Sequence, residues 1–222
     1  MTVAEFDYQW SHLPSANTEY TAARVTEFLK LTKLPREFFW GKKCLDAGCG
    51  NGRWTYAMQY LGAYVDSFDI SPVAVKQCQK VNPGAQVADV YDLSENRAYD
   101  FVLSWGVLHH LPNPELGFMH VAKQVRPGGT LHVMVYHERT QRIYVDGRAK
   151  WAGWTENERL EYCRHMVTLH GGDIHGWWDA FNPTYNFSYT PKQIRAWFEG
   201  CGFRDVKLTQ KYSINMRGVY RE

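Results

Sequence analysis

Residues Lys43 to Ser71 read KCLDAGCGNGRWTYAMQYLGAYVDSFDIS. A short apolar run ends in an acid, Asp46, and a loop with three glycines follows: Gly48, Gly50 and Gly52. The stretch from Arg53 to Leu61 has helical character and is closed by Gly62. A second strand-like run, from residue 63, ends in Asp69, about 20 residues beyond Gly48. Strand, tight glycine loop, helix, strand and acid is the order that a nucleoside-bearing cofactor needs. The glycines let backbone approach the ligand, and the acid accepts hydrogen bonds from a ribose.

The details of the loop narrow the cofactor. A dinucleotide loop sets backbone N–H groups and a helix N-terminus against a pyrophosphate. An acid just before such a loop repels phosphate. Here Asp46 stands two residues before the first glycine, and the spacing is Gly-x-Gly-x-Gly, not Gly-x-Gly-x-x-Gly. A carboxylate there suits a ligand with an ammonium group, a ribose and no phosphate, as in S-adenosylmethionine. On these residues the segment resembles the cofactor loop of class I S-adenosylmethionine-dependent methyltransferases. Four further segments resemble the same family in chain order: QVADV at 86–90, YDFVLSWGVLHHL at 99–111, QVRPGGTLHVMVY at 124–136 and TPKQIRAWFEGCGFRDVKL at 190–208.

That resemblance implies an α/β fold: a Rossmann-like, seven-stranded, mainly parallel sheet with helices on both faces and an antiparallel last strand. It implies a cofactor, S-adenosylmethionine, released as S-adenosylhomocysteine. It places Asp46, Gly48, Gly50, Asn51 and Gly52 around the methionine part, and Asp69 and Ile70 at the ribose. Asp89 and Val90 fall at the adenine, and Ser104 and Trp105 at the end of the fourth strand. The Trp105 indole either lies along the cofactor or fills the space under the next helix.

Composition fits one domain over residues 1–222, long enough for a buried core. Twenty-five basic and 23 acidic side chains leave a formal net charge of +2, too balanced for a nucleic-acid or membrane surface. Methyltransferases of base or amide amino groups carry an Asn/Asp-Pro-Pro-aromatic box after the fourth strand. Here that position reads Ser104-Trp105-Gly106-Val107, which also argues against DNA and RNA. Apolar runs fall short of a membrane span. The N-terminal MTVAEFDYQW has no apolar signal core, and five cysteines include no Cys-x-x-Cys pair. These features predict a cytoplasmic protein without a zinc framework. The oligomeric state is left open.

Residues 1–41 read as an aromatic-rich arm and a helix over 17–31, with Asn17 or Thr18 as cap. Ser71-Pro72 predicts a helix to about Val81, and the Arg126-Pro127-Gly128-Gly129 turn separates a helix near 114–125 from a fifth strand. Residues 138–180 break the strand–helix alternation. They carry four of the nine tryptophans (Trp151, Trp154, Trp177, Trp178) and a helix over 155–169 with Thr155 and Glu158 as a capping box. This stretch is expected to be a helical cap over the strand ends.

For chemistry, His109 in the loop after the fourth strand is a candidate general base, with His137 a second. His110 is expected to cap the next helix or bond a backbone carbonyl. Methyl transfer by proximity and alignment alone is the other scheme, since a sulfonium is already a good donor. His165, His170 and His175 are five apart, a poor spacing for ligands on one helix face, so no metal is expected there. HGWWDAFNPTYNFSYTP, from His175 to Pro191, resembles the segment before the last helix in small-molecule methyltransferases. There an Asp, a Pro and a Tyr shape the acceptor pocket, which implies Asp179, Pro183 and Tyr185. Trp10 and Tyr8 are candidates to close over the site. The expected activity is methyl transfer to an O, N or C atom of a small-molecule acceptor. Two alternatives stand beside it: a non-catalytic S-adenosylmethionine-binding partner subunit, and a nicotinamide-dependent oxidoreductase with a degenerate loop.

Overall fold

The structure is a computed structural model and describes residues 3–13, 20–151, 153–210 and 212–221. Asn17 and Thr18 lie outside the described residues. Seven strands form one sheet in the order β3-β2-β1-β4-β5-β7-β6. They are β1 (Lys43–Ala47), β2 (Tyr64–Asp69), β3 (Gln86–Val87), β4 (Tyr99–Trp105), β5 (Val125–Val135), β6 (Phe203–Gln210) and β7 (Ile214–Tyr220). β1 to β5 run parallel, while β7 is antiparallel to both β5 and β6. The central strands are buried nearly throughout, as a parallel sheet covered on two faces requires: Phe101, Val102, Leu103, Leu131, Val133 and Val135 are all fully buried.

Nine helices are described. They are α1 (Val3–His12), α2 (Ala22–Thr32), α3 (Arg53–Tyr60), α4 (Pro72–Cys78), α5 (Pro114–Ala122), α6 (Gln141–Trp151), α7 (Glu156–His170), α8 (Ile174–Phe181) and α9 (Pro191–Gly200). Their starts follow local chemistry. The Ser71 hydroxyl accepts from Ala74 N–H with Pro72 in the first turn, and Thr155–Glu158 and Thr190–Gln193 form reciprocal capping boxes. α2 and α3 pack on one face of the sheet around Phe28, Phe39, Trp54 and Met58. α5 and α9 cover the other through Phe118, Val121, Ile194 and Phe198.

Several boundaries differ from expectation. The Pro-Gly-Gly stretch is not a break before β5 but an excursion within it: Tyr99 pairs with Val125, and Phe101 already pairs with Thr130. α4 ends at Cys78, because Asn82 turns back and donates to Val65 O and Ser67 Oγ. The N-terminal arm contains a helix, α1. Tyr8 stacks on Trp178 at 4.8 Å, and Leu13 joins a small apolar cluster with Trp151, Met166, Trp178 and Phe181. Helices α6 to α8 therefore share a core that α1 completes.

Candidate functional site

In a doubly wound sheet the ligand crevice opens beyond the carboxyl ends of the strands, where the strand order reverses. Here that point lies between β1 and β4. Two adjoining clefts open there, enclosing about 610 and 1150 Å³. Gln9, Trp10, Gly48, Gly50, Trp105, Gly106 and Asp179 border both.

The first cleft is lined by Gly48 and Gly50 after β1, Phe68, Asp69 and Ile70 at the end of β2, Asp89 and Val90 after β3, and Trp105 at the end of β4. Asp69 is buried. One carboxylate oxygen accepts from Gly50 N–H at 2.8 Å, and the other from Ser71 N–H at 2.9 Å. Burial pushes its pKa up, and backbone N–H groups at Ser71, Gly50 and Ile70 oppose this. Asp69 thus fastens the glycine loop to β2 while its side chain borders the cleft. Asp89 caps the short turn Val90–Asp92 by accepting from Tyr91 N–H at 3.0 Å.

The glycines are required by space. Gly50 has φ +53°, and a Cβ there would stand 2.6 Å from the Trp10 indole. Gly48 has φ +83°, and its Cβ would collide with Val107. Gly52, at φ +87°, faces away: its Cβ would meet Cys78 Sγ at 2.8 Å, so it serves helix packing and does not border either cleft. Asn51 borders the second cleft.

Asp46 also stands back from the clefts. Its carboxylate accepts from Thr55 Oγ1 at 2.7 Å, beneath the loop, and its other oxygen is buried without a partner. Burial pushes its pKa up to about 6. Ser104 is fully buried on β4 beside Trp105; the pleat turns Trp105 to the clefts and Ser104 away from them. The Trp105 ring meets Trp54 edge-on at 5.1 Å and lies parallel to His132 at 6.0 Å.

The second cleft is aromatic. Trp10, Trp54, Trp105, Tyr136, Tyr144 and Trp177 border it, with Arg53 and Asp173 at the glycine-loop side. Arg53 lies 4.8 Å from the Trp54 ring centre and Arg24 5.8 Å. Burial lowers the Arg53 pKa, and Arg24 nearby lowers it further. Arg24 is ion-paired with Glu27, so Arg53 is the guanidinium that borders the cleft.

Between the clefts lies Asp179, on α8. It accepts from His110 Nε2 at 3.0 Å, Tyr136 Oη at 2.7 Å and Gln9 Nε2 at 3.2 Å. One carboxylate therefore joins α1, the loop after β4, the end of β5 and the cap. Burial alone would push this carboxyl up. The His110 ring against it more than reverses the effect, holding the group well below the usual carboxylate range. Tyr136 is pushed well above a normal phenol by burial and by Asp179.

Of the two histidines after β4, His110 and not His109 borders a cleft. His109 is fully buried, borders neither cleft and has no partner at either ring nitrogen. Burial holds its pKa well below the usual imidazole value, with His110 adding to the effect. Its ring lies 3.8 Å from Tyr136 and 4.1 Å from His110. A sealed, hard-to-protonate ring does not reach a reacting group, so the geometry speaks against His109 as general base. His110 borders the first cleft, with Nδ1 at 3.0 Å from Tyr185 O and Nε2 on Asp179. The carbonyl bond expected of His110 is present; its tie to Asp179 was not legible in sequence. Tyr185 contributes its backbone carbonyl, while its ring stacks near Phe187, 6.1 Å away. Pro183 offers its carbonyl to Arg148. His137 accepts from Arg139 N–H and does not border the clefts. His170 and His175 border the second cleft, and His165 is exposed.

Sequence reasoning passed over Gln9, Phe6, Tyr136 and Val107. Tyr136 ends the apolar run of β5, where a polar tip at a strand's carboxyl end was the available signal. The helix that carries Phe6 and Gln9 was not visible in the aromatic arm.

Comparison with known proteins agrees with this fold. A family profile described as "Methyltransferase domain" matches residues 16–208. Ubiquinone biosynthesis O-methyltransferase of Escherichia coli O7:K1 is 30% identical over 164 residues, covering 60% of this chain and 68% of that protein. The Proteus mirabilis enzyme of the same name is 36% identical over 97 residues, 40% of each chain. An uncharacterized Synechococcus protein is 35% identical over 107 residues, covering 43% of this chain. The chain spans 26% and 40% of the length of the latter two relatives, in the order Synechococcus, Proteus. Among solved structures, magnesium protoporphyrin IX methyltransferase of Synechocystis PCC 6803 with bound S-adenosylmethionine superposes with a TM-score of 0.53. It is 19% identical and covers 82% of this chain and 71% of its own. Human N-acetylserotonin methyltransferase with the same cofactor gives 0.55 at 15% identity, covering 87% and 51%. No helix among the described residues is long and apolar enough to cross a membrane. These matches lend no support to the nicotinamide alternative, and the chain belongs to the methyltransferase-domain family.

Proposed function

We propose that this chain is an S-adenosylmethionine-dependent methyltransferase that methylates an oxygen atom of a small, partly apolar acceptor held in the aromatic second cleft. The observation that carries the proposal is Asp179, an ionised carboxylate bordering both clefts and braced by His110, Tyr136 and Gln9. The names of the ubiquinone-pathway relatives favour an oxygen acceptor.

The adenosine fits the first cleft, with Asp69 and Ile70 at the ribose and Asp89 and Val90 at the base. The methionine end fits along Gly48 and Gly50, its carboxylate toward Arg53. This leaves the sulfonium near Trp10 and Trp105, whose ring faces attract a cation. The acceptor hydroxyl donates to Asp179 and points its lone pair at the methyl carbon. As the O–C bond forms, the C–S bond breaks and the electron pair returns to sulfur, while the hydroxyl proton, made strongly acidic by alkylation, leaves along its hydrogen bond to the Asp179 carboxylate and passes to solvent. Positive charge disappears, so a dry aromatic site favours the transition state over the hydrated ground state. Alignment by Asp179 and the cap supplies the catalysis; neither His109 nor His110 has a free, accessible nitrogen for a base.

The test is an acceptor screen with a labelled methyl donor, followed by kinetics of Asp179→Asn on the best acceptor. A rise in KM and a fall in kcat at unchanged S-adenosylhomocysteine affinity is expected. Normal kinetics in that variant would remove Asp179 from the acceptor site. Absence of any methylated hydroxyl, with amine acceptors turned over, would reassign the acceptor atom.

A further inference from the structure

His109 is unused by the scheme above, and it is an unusual residue. It is fully buried, and both ring nitrogens lack partners. An imidazole in that state calls for a partner. Its donor atom lies within 4.8 Å of one from His110 and one from Asp179.

We propose that His109, His110 and Asp179 bind a borderline divalent cation of the Zn²⁺ type, with its open coordination position toward the acceptor cleft. The proposal rests on the assignment of that cleft to the acceptor. Two imidazoles and one carboxylate suit Zn²⁺ or Co²⁺, whereas Mg²⁺ and Ca²⁺ prefer all-oxygen shells. Three protein ligands with a fourth position free is the arrangement of a catalytic site. Asp179 borders both clefts and His110 the first, so a position beside Asp179 is accessible to an acceptor oxygen. Tyr136 supports the set from outside, donating to Asp179 and lying against His109.

The spacing needs one adjustment. His110 Nε2 and Asp179 Oδ2 are 3.0 Å apart, close to the roughly 3.3 Å edge of a tetrahedral site with bonds of about 2.0–2.2 Å. The His109 nitrogen must swing inward by about 1.5 Å, and His110 must release its Nε2 proton to solvent. An acceptor hydroxyl bound to the ion then loses its proton to water. Its oxygen attacks the methyl carbon, the C–S bond breaks toward sulfur, and the cation is left unchanged. This provides the deprotonation that no free histidine supplies.

The test uses chelator-treated full-length protein saturated with S-adenosylhomocysteine, titrated with Zn²⁺, Co²⁺ and Mg²⁺ by calorimetry. One Zn²⁺ or Co²⁺ per chain is expected, with a visible Co²⁺ absorption band and Mg²⁺ binding weaker by about 100-fold or more. Asp179→Asn and His109→Gln should each weaken Zn²⁺ binding by roughly 10- to 100-fold while retaining S-adenosylhomocysteine affinity. The exposed His165→Ala should bind as the parent does. If His109→Gln does not fold, His110→Gln takes its place. No stoichiometric Zn²⁺ or Co²⁺ binding by protein that binds S-adenosylhomocysteine would overturn the site, as would undiminished binding in the ligand variants. An acceptor KM unmoved in Asp179→Asn would strike the acceptor assignment instead, leaving the cation titration to stand by itself.

Discussion

The Trp10 indole occupies the space into which a side chain at Gly50 would grow: a Cβ there would lie 2.6 Å from Trp10 Cη2 and Cζ2. A residue of the N-terminal helix therefore closes directly on the glycine loop. Gln77 Nε2 holds that helix by donating to Trp10 O at 2.6 Å, and His175 of the cap packs on the indole at 4.4 Å. Trp10→Ala should weaken S-adenosylhomocysteine binding by up to roughly tenfold, since an aromatic contact contributes about 0.5–1.5 kcal/mol. Gly50→Ala should be more damaging, because it adds a clash to a positive φ. Calorimetry on folded variants checks both, and an unchanged affinity in Trp10→Ala would mean that the indole shields nothing.

Asp69 has two tasks, and its variants should separate them. Its bonds to Gly50 and Ser71 N–H hold the apo loop, and ribose hydroxyls are expected to compete for the same oxygens. Charge-assisted bonds of this kind are worth roughly 1.5–3 kcal/mol. Asp69→Ala should thus weaken S-adenosylhomocysteine by about tenfold to a hundredfold and lower Tm as well. Asp69→Asn keeps one acceptor and should fall between. A loss of Tm with affinity intact would assign Asp69 to the loop alone.

Helices α6 to α8 supply Tyr144, Trp177 and Asp179 to the clefts. If ligand contacts order them, bound S-adenosylhomocysteine should slow amide exchange across 141–181 and shift tryptophan emission from Trp177 or Trp178. Exchange measured with and without ligand decides. Equal protection in the two states would mark the cap as a rigid part of the scaffold.

The central strands were legible because parallel strands write their burial as apolar runs: LDA, FVLSW and LHVMV keep one signature in sequence and in space, while the sheet around them was implied by the family resemblance. The first cleft was legible for the same reason, since Gly48, Gly50, Asp69 and Asp89 follow strand ends at fixed spacing. What sequence did not disclose depends on side-chain direction. Ser104 and Trp105 are neighbours in the chain, yet the pleat sends only Trp105 to the clefts. His109 and His110 are likewise adjacent and both buried, yet the short helical turn Leu108–His110 brings only His110 to a cleft wall. The tie from His110 to Asp179 spans 69 positions and crosses from core to cap, a pairing that no local pattern encodes.

Tyr136 tests the network without removing a charge. Its hydroxyl donates to Asp179 at 2.7 Å, so Tyr136→Phe deletes one of three donors and keeps the aromatic wall. A charge-assisted bond of roughly 1.5–3 kcal/mol corresponds to a fall in kcat/KM of about tenfold to a hundredfold. S-adenosylhomocysteine affinity should stay within about threefold, because Tyr136 borders only the second cleft. Loss of cofactor affinity together with activity would show that the network serves the first cleft instead.

Asp46 gives a pH prediction of definite sign. The unfolded carboxyl titrates near 3.8, and burial raises the folded value to about 6. The folded protein then binds the proton more tightly than the unfolded chain. Stability from this group is intact below about pH 4, falls as pH rises from about 4 to 6, and above that carries a cost of about 3 kcal/mol. Asp46→Asn keeps an oxygen for the Thr55 hydroxyl and removes the buried charge. The variant should match the parent near pH 4 and exceed it in urea resistance at pH 7.5. Its S-adenosylhomocysteine affinity should change by about threefold or less, because the Asp46 carboxylate turns to Thr55 and away from the clefts. Parallel stability curves for the two proteins across this range would show that Asp46 is not strained by burial. A tenfold or larger loss of affinity would return it to the cofactor's ammonium group.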